Sequence, residues 1–227
     1  NWEKVGLPAD QVYAELKAYT IPMDKADYQV DSVTFYNKTY FDFGLQGVFK
    51  DRLTAQKTMT GFPNFISYRK DLPIKNLGPN IQYLGGFAME GSQIVGGGDS
   101  IAKATLIISQ DNGRKAVQIK SSYIVIKTND ELSANNAEVS IYVGKDSIYH
   151  PGLTIKYKMQ KRELAFYAGD EGVSASSFYD SYHRHEFDAE AIIWNLNEPH
   201  LQIKMVSGAG KNPMIVTSYD YFRKGEL

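Results

Sequence analysis

The chain has 227 residues, with 25 basic and 26 acidic side chains, a formal net charge of −1 and no cysteine. The missing thiols exclude disulfide scaffolds, thiolate metal centres and cysteine nucleophiles, and they leave the redox compartment open. The balanced charge supplies no basic field for phosphate-backbone binding, which argues against nucleic acid as a partner, and no apolar run approaches the ~20 residues of a membrane-spanning helix.

Sixteen tyrosines, eleven phenylalanines and nineteen clustered glycines favour pleated, half-buried strands joined by bends. The first segment reads differently. In "PADQVYAELKAY" (8–19), Val12, Leu16 and Tyr19 recur at helical spacing. Asp10 can cap the start and Pro22 ends any continuation, so one short N-terminal helix is expected. From Tyr28 the period changes to two. "YQVDSVTFYN" (28–37) sets Val33 and Phe35 on one face, and "LQGVFKDRLTAQ" (45–56) reads as a further strand. In "PNFISYRKDLPI" (63–74), Phe65, Ser67 and Arg69 alternate with Ile66, Tyr68 and Lys70 until Pro73 interrupts. "GGFAMEGSQIVGGGDS" (85–100) reads as bends, with Gly96, Gly97 and Gly98 marking a loop. A phosphate-loop reading fails there, because no Lys-Ser/Thr follows the glycines.

"KATLIIS" (103–109), "QDNGRK" (110–115) and "AVQIKSSYIVIK" (116–127) form a strand, a turn and a strand. Asn112-Gly113 is the hairpin signal. "AEVSIYV" (137–143), "LTIKYKM" (153–159) and "ELAFYAG" (163–169) follow. Leu153, Ile155, Tyr157 and Met159 alternate with Thr154, Lys156 and Lys158, the pattern of a sheet with one dry and one wet face. "HEFDAEAIIW" (185–194), "HLQIKMV" (200–206) and "PMIVTSY" (213–219) complete about a dozen strands. The triplets at Asp31, Asp99 and Asp146 keep no fixed period, so a regular solenoid is absent. The expectation is an all-β fold: an antiparallel β-sandwich or jelly roll, or an elongated β-stack, with one short N-terminal helix. It is read as a single β-rich domain over 1–227. The ending "DYFRKGEL" and the opening without Met read as cuts through a longer protein.

The most chemical stretch is "YDSYHRHEFDAEAII" (179–193). His183, His185 and Glu190 resemble the metal half of the cupin pattern, and two imidazoles two residues apart sit ~7 Å apart on one strand face, within reach of one cation. However, Ser177 and Asn197 stand where that pattern has glycines. If 183–193 is one unbroken strand, parity also turns Glu190 away from both rings, and only a bulge or turn brings it back. Glu186, Asp188 and Glu190 form a second candidate, since paired carboxylates ~5–9 Å apart cleave glycosidic bonds. On the same strand reading they are the wet face, with Arg184 beside them. "HPG" (150–152) is only a fragment of a cupin pattern. Asn37-Lys38-Thr39 fits a glycan acceptor. Tyr36, Tyr40, Phe41 and Phe43, and again Phe178, Tyr179 and Tyr182, are either core or an aromatic platform.

"DSIYHPGLTIKYKMQKRELAFYAGDEG" (146–172), "SSFYDSYH" (176–183) and "IIWNLNEPHLQIKM" (192–205) resemble parts of large uncharacterised cell-envelope proteins of Bacteroidota. Residues 138–169 also resemble the strand–turn–strand units of lipopolysaccharide-transport β-jellyrolls. These resemblances imply an exported bacterial segment, in the periplasm or at the cell surface, and supply no catalytic residues. The expected function is a non-catalytic structural or binding module without a cofactor. Its partners would be flanking segments of the same protein or another envelope protein, or a carbohydrate or lipid. The alternatives are a metal- or carboxylate-dependent hydrolase centred on residues 183–190, and a lipid- or sugar-binding β-groove.

Overall fold

The computed structural model describes residues 2–17, 19–21, 24–53, 61–97, 102–127, 130–205 and 213–219. Among these residues lie eighteen strands, two four-residue 3-10 turns and no α-helix. The chain is all-β, as its alternating pattern requires. The expected helix over 8–19 does not form. The N-terminal 3-10 turn is Trp2–Val5, and Val12–Glu15 is instead a strand, β1. Its backbone pairs antiparallel with the strand Asp27–Asn37 (β2), and Tyr13 stacks on Tyr36 at 4.8 Å between ring centroids. A ladder and a ring pair outweigh a helix propensity of a few tenths of a kcal/mol per residue.

The chain folds as two compact units, residues 1–104 with 122–128, and residues 105–121 with 129–227. The single strand expected over 116–127 is accordingly broken at Ser122. One strand ends at Ser121 and the next begins at Tyr123.

The first unit holds β1 and β2, then β3 (Leu45–Arg52), β4 (Asn64–Ser67), β5 (Leu72–Pro73), β6 (Ile81–Glu90) and β7 (Gln93–Gly97). Tyr123–Lys127 is its last strand, β10 in chain order. Antiparallel pairing runs β1–β2–β3–β4–β6–β7–β10, with β5 beside β4 on the same edge of β6. Val33 and Phe35 share the buried face as expected, although Ser32 with φ of 60° bulges the strand just before them. The core is a cluster of rings. Phe35 lies 4.4 Å from Phe65 and 4.9 Å from Trp2, and Phe87 meets Phe41 at 4.9 Å. Each such side chain contributes about 1.5–3 kcal/mol by burial, and each ring pair about 0.5–1.5 kcal/mol more. Gly96 and Gly97 belong to β7 rather than to a loop, whereas Gly98 lies outside the described residues. The reason is Tyr83. A Cβ on Gly85 or Gly96 would start 2.5 Å from its side chain. The phenol donates to the Gly86 carbonyl at 2.5 Å, and burial raises its pKa well above the ordinary tyrosine value.

The second unit holds β8 (Ala104–Ser109) apart from its first residue, β9 (Lys115–Ser121), β11 (Glu131–Val143), β12 (Asp146–Lys158) and β13 (Glu163–Tyr167). It continues with β14 (Phe178–Asp180), β15 (His185–Phe187), β16 (Ala191–Asn195), β17 (Leu201–Lys204) and β18 (Val216–Ser218). The β8–β9 turn forms around Asn112-Gly113. Gly113 adopts φ of 78°, and the Gln110 amide donates to the Arg114 carbonyl at 2.8 Å. Strand β12 pairs along its length with β11, which pairs on with β9. Its buried row is Leu153, Ile155 and Tyr157, continued by Met159 just past its end, and Lys156 and Lys158 face solvent, as expected.

On its other edge β12 forks. Thr154–Lys158 pair with β13, which leads to β16 and β17. Ile148 and Tyr149 pair with β14, which leads to β15 and β18. His150, Pro151 and Gly152 lie between the two pairings. A fork strands backbone groups that a continuous ladder would pair, and His150 satisfies some of them. Its Nε2–H donates to the Ser176 carbonyl at 2.7 Å, and its Nδ1 accepts the Gly152 amide at 3.0 Å. The ring is 1% exposed and packs on Phe178, and burial lowers its pKa below the ordinary histidine value.

Candidate functional site

Residues 183–193 are not one strand. Ser181–Arg184 form a turn, β15 covers only His185–Phe187, residues 188–190 bend away, and β16 starts at Ala191. Arg184 takes φ of 55° to close the β14–β15 hairpin. The parity argument therefore does not apply across this segment, and the two imidazoles converge. The His183 and His185 ring centroids are 5.1 Å apart. The third group beside them is Asp180, not Glu190. Asp180 and His185 are direct cross-strand partners, which sets both on one face of the hairpin.

Turn chemistry places Asp180. Its Oδ1 accepts the Tyr182 amide at 2.9 Å and the His183 amide at 3.4 Å, the Asx pattern that favours aspartate at a turn. Its Oδ2 lies 2.7 Å from His183 Nδ1. Burial pushes the Asp180 carboxyl up, but the His183 ring and the two amides together hold it below the usual carboxylate range. Candidate ligand atoms of Asp180, His183 and His185 all lie within 4.8 Å of one another.

The three acids expected as a group are divided. Glu186 sits mid-strand in β15, opposite Tyr179 on one side and Thr217 on the other. Asp188 and Glu190 instead line a cavity of about 290 Å³ together with Asp170 and Met205. Asp188 Oδ1 accepts the Ser177 hydroxyl at 2.6 Å, and the Glu190 carbonyl accepts the Ala168 amide at 3.0 Å. Asn37 is 2% exposed, which closes it to a glycan in the folded chain. The aromatic clusters are mixed. Tyr40, Phe41 and Phe178 are core, while Phe43 and Tyr182 are exposed.

Sequence reasoning passed over a larger feature. The tips of three hairpins enclose a cleft of about 930 Å³, lined by Arg114, Lys115, Tyr142, Lys145, Trp194 and His200 among others. The β8–β9 turn contributes Arg114 and Lys115, the β11–β12 turn Lys145, and the β16–β17 turn His200. Among the described residues no carboxylate lines it. Lys115 Nζ sits 4.4 Å from the Tyr142 ring centroid and donates to Gln118 Oε1 at 2.7 Å, which fixes that cation in place. The Trp194 indole donates to the Glu198 carbonyl at 3.1 Å and holds the third turn. The available signal was the run Asn112-Gly113-Arg114-Lys115, with a second turn at Gly144-Lys145. Pairing the tips depends on which strands are neighbours, which one sequence does not display. Compared with family models, curated proteins and solved structures, the chain matches none.

Proposed function

We propose that this chain is a non-catalytic binding module of an exported bacterial cell-envelope protein, and that the cationic cleft is its ligand site. One observation carries the reading: Arg114 and Lys115 from one turn and Lys145 from another meet on a cavity that no acid lines among the described residues. Such a cleft suits an anionic group, and Arg114 can grip a carboxylate or phosphate through two parallel N–H bonds. The size falls within the range of small-molecule sites. The chemistry is that of an acidic glycan or an anionic lipid headgroup. The envelope setting rests on the resemblance of residues 146–205 to Bacteroidota envelope proteins. Exposed apolar side chains near the outer strands, Ile203 and Met205 by β17 and Ile215 and Val216 by β18, support contact with flanking or partner segments.

The test is binding of the purified chain to a polygalacturonate oligosaccharide and to phosphatidylglycerol vesicles, with dextran and phosphatidylcholine vesicles as neutral controls. One anionic probe should bind in a salt-sensitive manner, and the pair Arg114→Glu with Lys145→Glu should weaken it at least tenfold. Equal binding of acidic and neutral probes, or no loss in the variant, overturns the reading.

A further inference from the structure

We propose that Asp180, His183 and His185 form a binding site for one divalent transition-metal cation at the tip of the β14–β15 hairpin. It shares no residue with the cationic cleft. Three features support it. First, the ligand atoms already lie within 4.8 Å of one another, so small rotamer changes bring them to the ~2.0–2.2 Å of metal–nitrogen and metal–oxygen bonds. Second, the donor set is preorganised from below. The Asp180 side chain is 15% exposed and anchored by two turn amides, while the His183 side chain is 59% exposed and open to an arriving ion. Third, two imidazoles and one carboxylate suit zinc, nickel, cobalt or copper rather than magnesium or calcium, which prefer all-oxygen shells.

The contact between His183 Nδ1 and Asp180 Oδ2 is the place where a proton now sits between two potential ligands. A cation entering there takes the lone pairs of Asp180 Oδ2 and His183 Nδ1, and the one N–H of the neutral ring moves to Nε2. Three protein ligands leave a coordination position open to solvent, an arrangement shared with catalytic rather than closed structural sites. Tyr182, edge-on to His183 with ring centroids 4.7 Å apart and largely exposed, flanks the entry. The other histidines offer little competition. His150 uses both ring nitrogens in hydrogen bonds within the core, and His200 lines the cationic cleft.

The experiment uses the untagged chain and Zn²⁺, Ni²⁺ or Cu²⁺ alone, by titration calorimetry and elemental analysis after dialysis. One equivalent should bind and raise the melting temperature by mass action. His183→Ala, His185→Ala and Asp180→Asn should each weaken binding at least tenfold, and His200→Ala should leave it unchanged. The Cu²⁺ form should show nitrogen hyperfine splitting from two imidazoles. Because His183 is on the surface, its variant should melt like the parent chain without metal, so lost binding is not lost folding. Binding unaltered in the double variant His183→Ala/His185→Ala, or the absence of one-equivalent binding in the parent chain, overturns the proposal.

Discussion

The two units solve the same problem, an antiparallel sheet with one dry face, in different ways. The first is a meander whose strands mostly pair with their sequence neighbours, and it is filled with rings: Trp2, Phe35, Phe49, Phe65 and Phe87. The second is built on β12, which serves β13 with one half and β14 with the other. Its core is richer in aliphatic side chains, with Ile119, Val139, Ile141, Leu153 and Ile155 in the same buried layer. A meander needs only apolar volume. A fork also needs a polar group to satisfy the backbone where the ladders part, and His150 supplies it. All three site candidates, the histidine hairpin, the acidic cavity and the cationic cleft, lie in the forked unit. Branching ends strands in turns and bends, and those are the positions where side chains from distant parts of the chain can meet.

The largest effect should fall on the ring cluster. Phe35→Ala removes a fully buried side chain in contact with three other rings, and should cost about 3–5 kcal/mol in urea unfolding. A cost below about 1 kcal/mol would dissolve the contrast between ring-filled and forked units. Next comes the fork. His150→Leu keeps the volume roughly but leaves the Ser176 carbonyl and the Gly152 amide without their partner, for a loss of about 1–3 kcal/mol.

This loss should depend on pH. The folded pKa of His150 is lowered by burial, so above the ordinary value of ~6.5 both folded and unfolded chains hold it neutral and its contribution is constant. As pH falls below that value the unfolded chain takes the proton first, and stability drops. The gap between parent and His150→Leu should therefore narrow from pH 7 to pH 5, and a gap that widens would place the ring charged in the core. The smallest effect belongs to the wet face of β12. Lys158 and Glu163 pair at 3.2 Å with both side chains over a third exposed, so Lys158→Ala should shift stability by less than about 0.5 kcal/mol.

Much of this fold was legible in alternation. Residues 153–159 announced their buried and exposed rows because β12 has one wet face, and Asn112-Gly113 announced its turn because a positive φ is needed there. The N-terminal strand was hidden, since Val12, Leu16 and Tyr19 satisfy helical spacing while the deciding force, pairing with β2, comes from residues 19 to 25 positions away. The site was half legible. His183 and His185 stood out by type and spacing. Asp180 did not, because it precedes them across a turn that Arg184 completes with a positive φ, a conformation most sequences avoid at arginine. The segment Asp180-Ser181 before the histidines carried the turn chemistry that would have found it. The cationic cleft was illegible in principle from spacing alone, for its members lie up to 91 positions apart, from Gln110 to Leu201.

The Tyr83 ring, lying over Gly85 and Gly96, also bears on ancestry. None of the three positions can drift alone: a methyl at either glycine evicts the phenol, and a smaller group at 83 leaves a hole that only the glycines explain. Across descendants of this chain the trio should be inherited as a block or replaced as a block, a fingerprint by which distant kin could be recognised even where every surface turn has diverged.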